Sequence, residues 1–211
     1  MTILTYCSYP VLDQREEPPW VSGLEAVLAA NKLNLFSLYH PWVPLKAQTK
    51  LYPLLESEPH PFFVENAKLL KLPEHVLRPF GSPEVQKLLS QADRAEPNNI
   101  VSFKDLFCLT RSKIVIADLS NPSFGELFQD VFYAHLAEIP LIGVSSRFLL
   151  SPVMLNRIET LVPMGRLDII VQQLVSYSMG YVRAATEKSG DLDTTPEVAD
   201  PENTGNGNAT P

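Results

Sequence analysis

Residues 113–118 read Lys-Ile-Val-Ile-Ala-Asp, and they are followed by a polar loop at 121–125 (NPSFG), a helical stretch over 126–138 and a second apolar run at 140–144 (PLIGV). The first run has four consecutive apolar residues and no polar alternation. Strands of that kind are buried on both faces, as they are inside a parallel sheet. Two such strands joined by a helix make a strand–helix–strand crossover, which parallel pairing requires.

Outward from this unit the same alternation continues. Residues 102–112 (SFKDLFCLTRS) predict the helix that precedes it. Residues 2–8 (TILTYCS) predict a first strand, broken by Pro10. A helix is expected over 20–31, where Trp20, Leu24, Val27 and Leu28 recur at helical spacing. A second strand spans 33–39 (LNLFSLY) and stops at His40-Pro41. After the central unit, Ser151-Pro152 opens a short helix, 160–162 forms a short last strand, and 167–182 forms a long amphipathic helix. The expected fold is α/β, a doubly wound sheet of five mainly parallel strands with helices on both faces. Strands at 3–7, 35–38, 114–117 and 141–144 are expected to be central. Ligands of such sheets bind outside the carboxyl ends of the strands, where the strand order reverses. Here that points to the loops at 6–10 and 119–125.

Two segments stand apart. Residues 41–98 carry prolines at 41, 44, 53, 59, 61, 73, 79, 83 and 97. They read as a Pro-rich insertion over one side of the sheet, with helical pieces at 62–70 and 83–92. Ser82 caps the second piece, and Pro83 takes its first position. Beyond residue 183 large apolar side chains almost vanish, so 184–211 is expected to be a disordered acidic tail following a 1–183 domain.

Composition excludes several functions. The net charge is −7, which argues against binding polymeric nucleic acid but not against a nucleotide-sized ligand. Cys7 and Cys108 lie far apart and read as buried reduced thiols. There is no Cys/His cluster with metal-ligand spacing. No apolar run approaches the ~20 residues that span a bilayer, and the start lacks a basic leader, so a cytoplasmic chain without membrane contact is expected. Glycine-rich phosphate loops and the Gly-x-Ser-x-Gly elbow are missing.

A polar cluster remains at the predicted switch point. Tyr6 and Ser8 end the first strand, and Asp105 lies on the helix before 113–118. Asp118, Asn121, Ser123 and Gly125 follow the central strand, and Glu126 and Asp130 open the next helix. Taken singly, Asn121 and Ser123 are ordinary helix caps, and Glu126 is an ordinary first-turn acid. Glu126 and Asp130 are four apart, so one helical face can carry both.

In order and spacing these residues resemble the nucleoside 2-deoxyribosyltransferase family and the related deoxynucleotide N-hydrolases. Asp105-Leu106, Asn121-Pro122-Ser123-Phe124-Gly125, Tyr133-Ala134, Ile139-Pro140-Leu141 and Tyr6-Cys7-Ser8-Tyr9-Pro10 carry the resemblance. It covers the first two strands and most of 102–160, but not 41–98 or the tail. It implies a flavodoxin-like or Rossmann-like fold and cleavage of an N-glycosidic bond in a (deoxy)nucleoside or nucleotide. It implies no cofactor or metal. In that reading Asp130 is the carboxylate nucleophile, Glu126 is the second candidate, and Tyr6 orients the nucleophile. Asp105 would hold the base or assist its protonation, and Ser8 and Ser123 would bind a sugar hydroxyl or 5′-phosphate. Asp118, Asn121 and Gly125 complete the substrate-binding set. The resemblance further implies a homo-oligomer in which Met154 or Asn156 reaches a neighbour's site. Asp130 stands where the family carries Glu, and Phe132 stands where it carries Gly. These departures leave open a catalytically lapsed nucleotide-binding or signalling module on the same fold.

Overall fold

The computed structural model describes residues 2–9, 18–41, 43–92, 101–120, 125–146 and 152–190. Five strands, β1 (Ile3–Ser8), β2 (Phe36–Tyr39), β3 (Ile114–Asp118), β4 (Leu141–Ser145) and β5 (Thr160–Pro163), form one sheet in the order β2-β1-β3-β4-β5. Every pairing is parallel. The helices are α1 (Pro19–Ala30), α2 (Tyr52–Leu55), α3 (Pro61–Asn66), α4 (Pro83–Ala92), α5 (Val101–Leu109), α6 (Gly125–Leu136), α7 (Pro152–Leu155) and α8 (Leu167–Gly190). The fold is the expected doubly wound α/β sheet. Its strand order reverses between β1 and β3.

Period-two alternation sorts the side chains of β1 between two cores. Ile3 and Cys7 join Trp20, Val21, Leu24 and Leu28 of α1 and Ile170 and Leu174 of α8 on one face. Leu4 and Tyr6 join α5, α6 and the segment after β2 on the other. Strand β3 is buried at all five positions, as a central parallel strand requires. Gly143 on β4 makes room for this packing. A Cβ there would sit 2.7 Å from Leu119 Cδ1 and 3.0 Å from Ile158 Cγ2.

The Pro-rich segment is part of the second core, as expected. Leu45, Leu51, Leu55, Phe63, Val76, Phe80, Val85 and Leu89 are all buried in it. It advances by short pieces, with 3₁₀ turns at Leu45–Ala47, Thr49–Leu51 and Glu74–Leu77 between α2, α3 and α4. Arg111 fastens it to the end of α5. Its guanidinium is buried, donates to the carbonyls of Val76 (2.9 Å), Phe107 (3.1 Å) and Arg78 (2.7 Å), and lies 3.7 Å from the Phe107 ring centre.

Four expectations need correction. The second strand is an edge strand, because β1 lies between β2 and β3. It also starts at Phe36, since Leu33 closes the end of α1 by donating its N–H to Leu28 C=O at 2.9 Å. The helix expected over 62–70 is α3 and ends at Asn66, followed by turns that bring Lys71 to φ 53°. Helix α8 runs to Gly190, so the segment expected to be a tail from 184 begins as helix. Ala184, Ala185, Glu187 and Lys188 are good helix formers and extend a helix already anchored by its buried face. Residues 191–211 lie outside the described residues. Among the described residues no helix is long and apolar enough to cross a membrane, and both cysteines are buried thiols outside any disulfide.

Candidate active site

Tyr6 and Ser8 are two residues apart on β1, so both point to the face covered by α5 and α6. They converge on one oxygen of α6. Asp130 Oδ2 accepts from Ser8 Oγ at 2.7 Å and from Tyr6 Oη at 3.2 Å. A carboxylate accepting two hydroxyl bonds is held in position more firmly than by either alone. Asp130 is half-buried, whereas Tyr6 and Ser8 are 1% and 3% exposed. The short Asp130 side chain thus reaches both hydroxyls.

Asp105 enters the same constellation through a residue that the sequence did not single out. Tyr39 ends β2 directly opposite Tyr6 in register, and the two rings stack at 5.3 Å. Tyr39 Oη donates to Asp105 Oδ1 at 2.6 Å. Two stacked phenols thus lie between two carboxylates, Asp130 and Asp105. Burial pushes the pKa of Tyr6 well above the ordinary phenol value, and the charges of Asp130 and Asp105 push it further. Burial and Asp105 do the same to Tyr39. Both phenols therefore keep their protons near neutral pH and act as donors. Burial also raises the pKa of the Cys108 thiol, with Asp105 adding to the effect, so the thiol stays protonated.

Asp118 goes elsewhere. It shares the side of β3 with Ile114 and Ile116, and its Oδ2 accepts from Trp20 Nε1 of α1 at 3.0 Å. Its Oδ1 accepts from Ser120 N–H at 2.9 Å, and Ser120 Oγ accepts from Ser146 N–H at 3.0 Å. This chain of bonds ties the ends of β3 and β4 to the start of α1. Asp118 thus lies on the face opposite Tyr6.

Gly125 is the first residue of α6 and Glu126 the second. The Glu126 side chain, and Asn121 and Ser123 entirely, lie outside the described residues. Met154 of α7 is 3% exposed and packs in the chain's second core. Asn156 is exposed and lines a cleft of ≈ 480 Å³ with His135, Glu138 and Arg157, beside the C-terminal end of α6. That cleft includes neither Tyr6 nor Asp130. Phe132 lies under the Arg157 guanidinium, 4.9 Å from its ring centre. Two positions after Asp130, it is turned about 200° around the helix from that residue. Among the described residues no group of His, Cys, Asp and Glu could hold a metal ion.

Fold and site together define a doubly wound parallel α/β domain with a carboxylate–phenol constellation at the carboxyl end of its first strand. No family model matches the chain, and no curated protein is similar to it in sequence. A solved structure of the 2-deoxyribosyltransferase from Bacillus psychrosaccharolyticus is 12% identical, with a TM-score of 0.37 over 75% of this chain and 85% of that one.

Proposed function

We propose that this chain cleaves the N-glycosidic bond of a (deoxy)nucleoside or nucleotide, with Asp130 as the nucleophile. The observation that carries the reading is the double grip of Tyr6 and Ser8 on one oxygen of Asp130. A carboxylate aimed in this way can attack an anomeric carbon. The new C–O bond forms as the C–N bond breaks, and the base departs with the electron pair and is protonated. A second base, or water, then displaces the sugar from the ester and restores the carboxylate. Tyr6 remains protonated and keeps Asp130 oriented through both steps. Asp105, fixed by Tyr39, stands across the stacked phenols, where it can hold the departing base or assist its protonation by water. No step in this scheme requires a redox group.

The test is incubation with each deoxynucleoside and deoxynucleoside 5′-monophosphate, followed by chromatographic detection of free base. Release is expected from the parent chain, and Asp130→Asn should lose it by about a thousandfold or more. Release from Asp130→Asn at the parent rate would overturn the assignment. Saturable nucleotide binding without release in the parent would instead favour a binding or signalling module on this fold.

A further inference from the structure

Strand β2 is the open edge of the sheet, and its outward backbone groups form a pattern. Ile3 lies opposite Phe36, and Ile3 N–H donates to Leu35 C=O at 2.7 Å. In a parallel ladder this turns the backbone groups of residues 35, 37 and 39 toward β1 and those of 36, 38 and 40 outward. Both ends of the outward row are closed within the chain. Phe36 N–H meets Leu33 C=O at 3.5 Å. The Gln48 carboxamide takes the place of a neighbouring strand at His40, accepting from its N–H at 3.0 Å and donating to its C=O at 2.9 Å. Between these closures, Phe36 C=O, Leu38 N–H and Leu38 C=O meet no hydrogen-bond partner among the described residues.

This acceptor–donor–acceptor row opens onto a cavity of ≈ 590 Å³. Leu28 and Ala29 of α1 and Ala47 and Leu51 of the 3₁₀ turns line it, together with the exposed Glu25 and Lys50. That volume suits a small molecule held between mixed polar and apolar walls. An added peptide strand, or β2 of a second copy, needs a longer run of free edge and would have to displace Gln48. The complement of acceptor–donor–acceptor is an exocyclic amine beside an unprotonated ring nitrogen, which is the amidine edge of an aminopurine. We propose that the cavity at the β2 edge binds an aminopurine base, at a site separate from the Asp130 centre. The amine donates to Phe36 C=O, the ring nitrogen accepts from Leu38 N–H, and a second amine reaches Leu38 C=O.

Amide-resolved NMR of the whole chain tests this with adenine, 2,6-diaminopurine, N6,N6-dimethyladenine and adenosine as probes. The Leu38 amide should shift saturably with adenine. Diaminopurine, with one more bond, should bind about fivefold tighter, and dimethyladenine, with its donor removed, at least about tenfold weaker. Adenosine shows whether the site takes the base free or as its nucleoside. Ala47→Trp should abolish the Leu38 response while leaving the remaining spectrum folded, and Asp130→Asn should keep it. Three results would each overturn the proposal: no Leu38 shift at about 5 mM adenine, equal affinity for dimethyladenine, or Leu38 protection that tracks dimer formation in sedimentation.

Discussion

At the scale of single residues, burial decides what each polar side chain can do. Tyr6 is almost fully buried with a charged carboxylate as its acceptor, so losing its hydroxyl removes a charge-assisted bond worth about 1.5–3 kcal/mol. Tyr6→Phe should therefore reduce base release by about ten- to a hundredfold, mainly in kcat, because the substrate does not need the phenol in order to bind. Steady-state kinetics separates kcat from KM, and an unchanged kcat would remove Tyr6 from the mechanism. Arg111 is the opposite case, a buried cation that serves carbonyls. Desolvation pulls its pKa down to about 10. Arg111→Met keeps the stem but leaves the Val76 and Arg78 carbonyls without this donor, while Phe107 C=O keeps the Thr110 hydroxyl. The expected loss is about 2–4 kcal/mol of stability, measured by urea unfolding, with base release retained by the folded variant.

At the scale of elements, three turns share one unusual feature. Lys32, Lys71 and Glu138 have φ of 55°, 53° and 53°. At α1, Lys32 N–H bonds Ala29 C=O and Leu33 N–H bonds Leu28 C=O. The same 5→2 and 6→1 pair recurs with Lys71 and Leu72 after α3, and with Glu138 and Ile139 after α6. Each is a Schellman ending whose left-handed residue is not glycine, followed by an apolar residue that packs inward. Glu138→Gly should therefore raise stability by about 0.5–1 kcal/mol, the left-handed strain outweighing glycine's extra chain entropy. A lower melting temperature for this variant would refute that balance. These endings also explain where the sequence misleads. The turns over 67–71 that follow α3 contain no glycine and keep an i→i−4 bond from Leu70 N–H to Asn66 C=O, so the sequence reads 62–70 as one helix, and the Leu33 that opens an apparent strand belongs to a cap. The central strands were legible because parallel strands keep long apolar runs. The same unbroken runs conceal which face each residue takes, and so Asp118 was grouped with Tyr6 although it points at Trp20. Tyr39 could not be found without the β1–β2 register that places it against Tyr6. The segment 41–98 resisted reading because its buried residues sit on short pieces between prolines and keep no single period.

At the scale of the whole molecule, the two cores leave a set of proton-binding groups whose burial biases stability toward neutral pH. Burial raises the pKa of Tyr6, Tyr39 and Tyr181, brings Tyr177 up to about 12, and raises that of the Cys108 thiol. In the unfolded chain these groups release their protons near ordinary values, about 10 for a phenol and about 8.5 for a thiol. Between those values and the raised folded ones, the folded chain retains protons that the unfolded chain has lost, and stability falls as pH rises. Two bases act in the opposite sense. Burial lowers the pKa of Arg111 to about 10 and also lowers that of Lys113, so over their intervals the unfolded chain holds the extra proton and stability rises with pH. Five groups oppose two, and the net slope above about pH 9 is downward. Urea midpoints measured from about pH 8 to pH 11 should fall steadily. The double variant Tyr6→Phe, Tyr39→Phe removes two of the five opposing groups and should show a shallower fall, even though it starts from a lower midpoint. A parallel pair of curves would place the alkaline sensitivity elsewhere, in Cys108 and the two tyrosines of α8. A shallower slope would show that the stacked phenols of the candidate site contribute measurably to the stability of the whole fold.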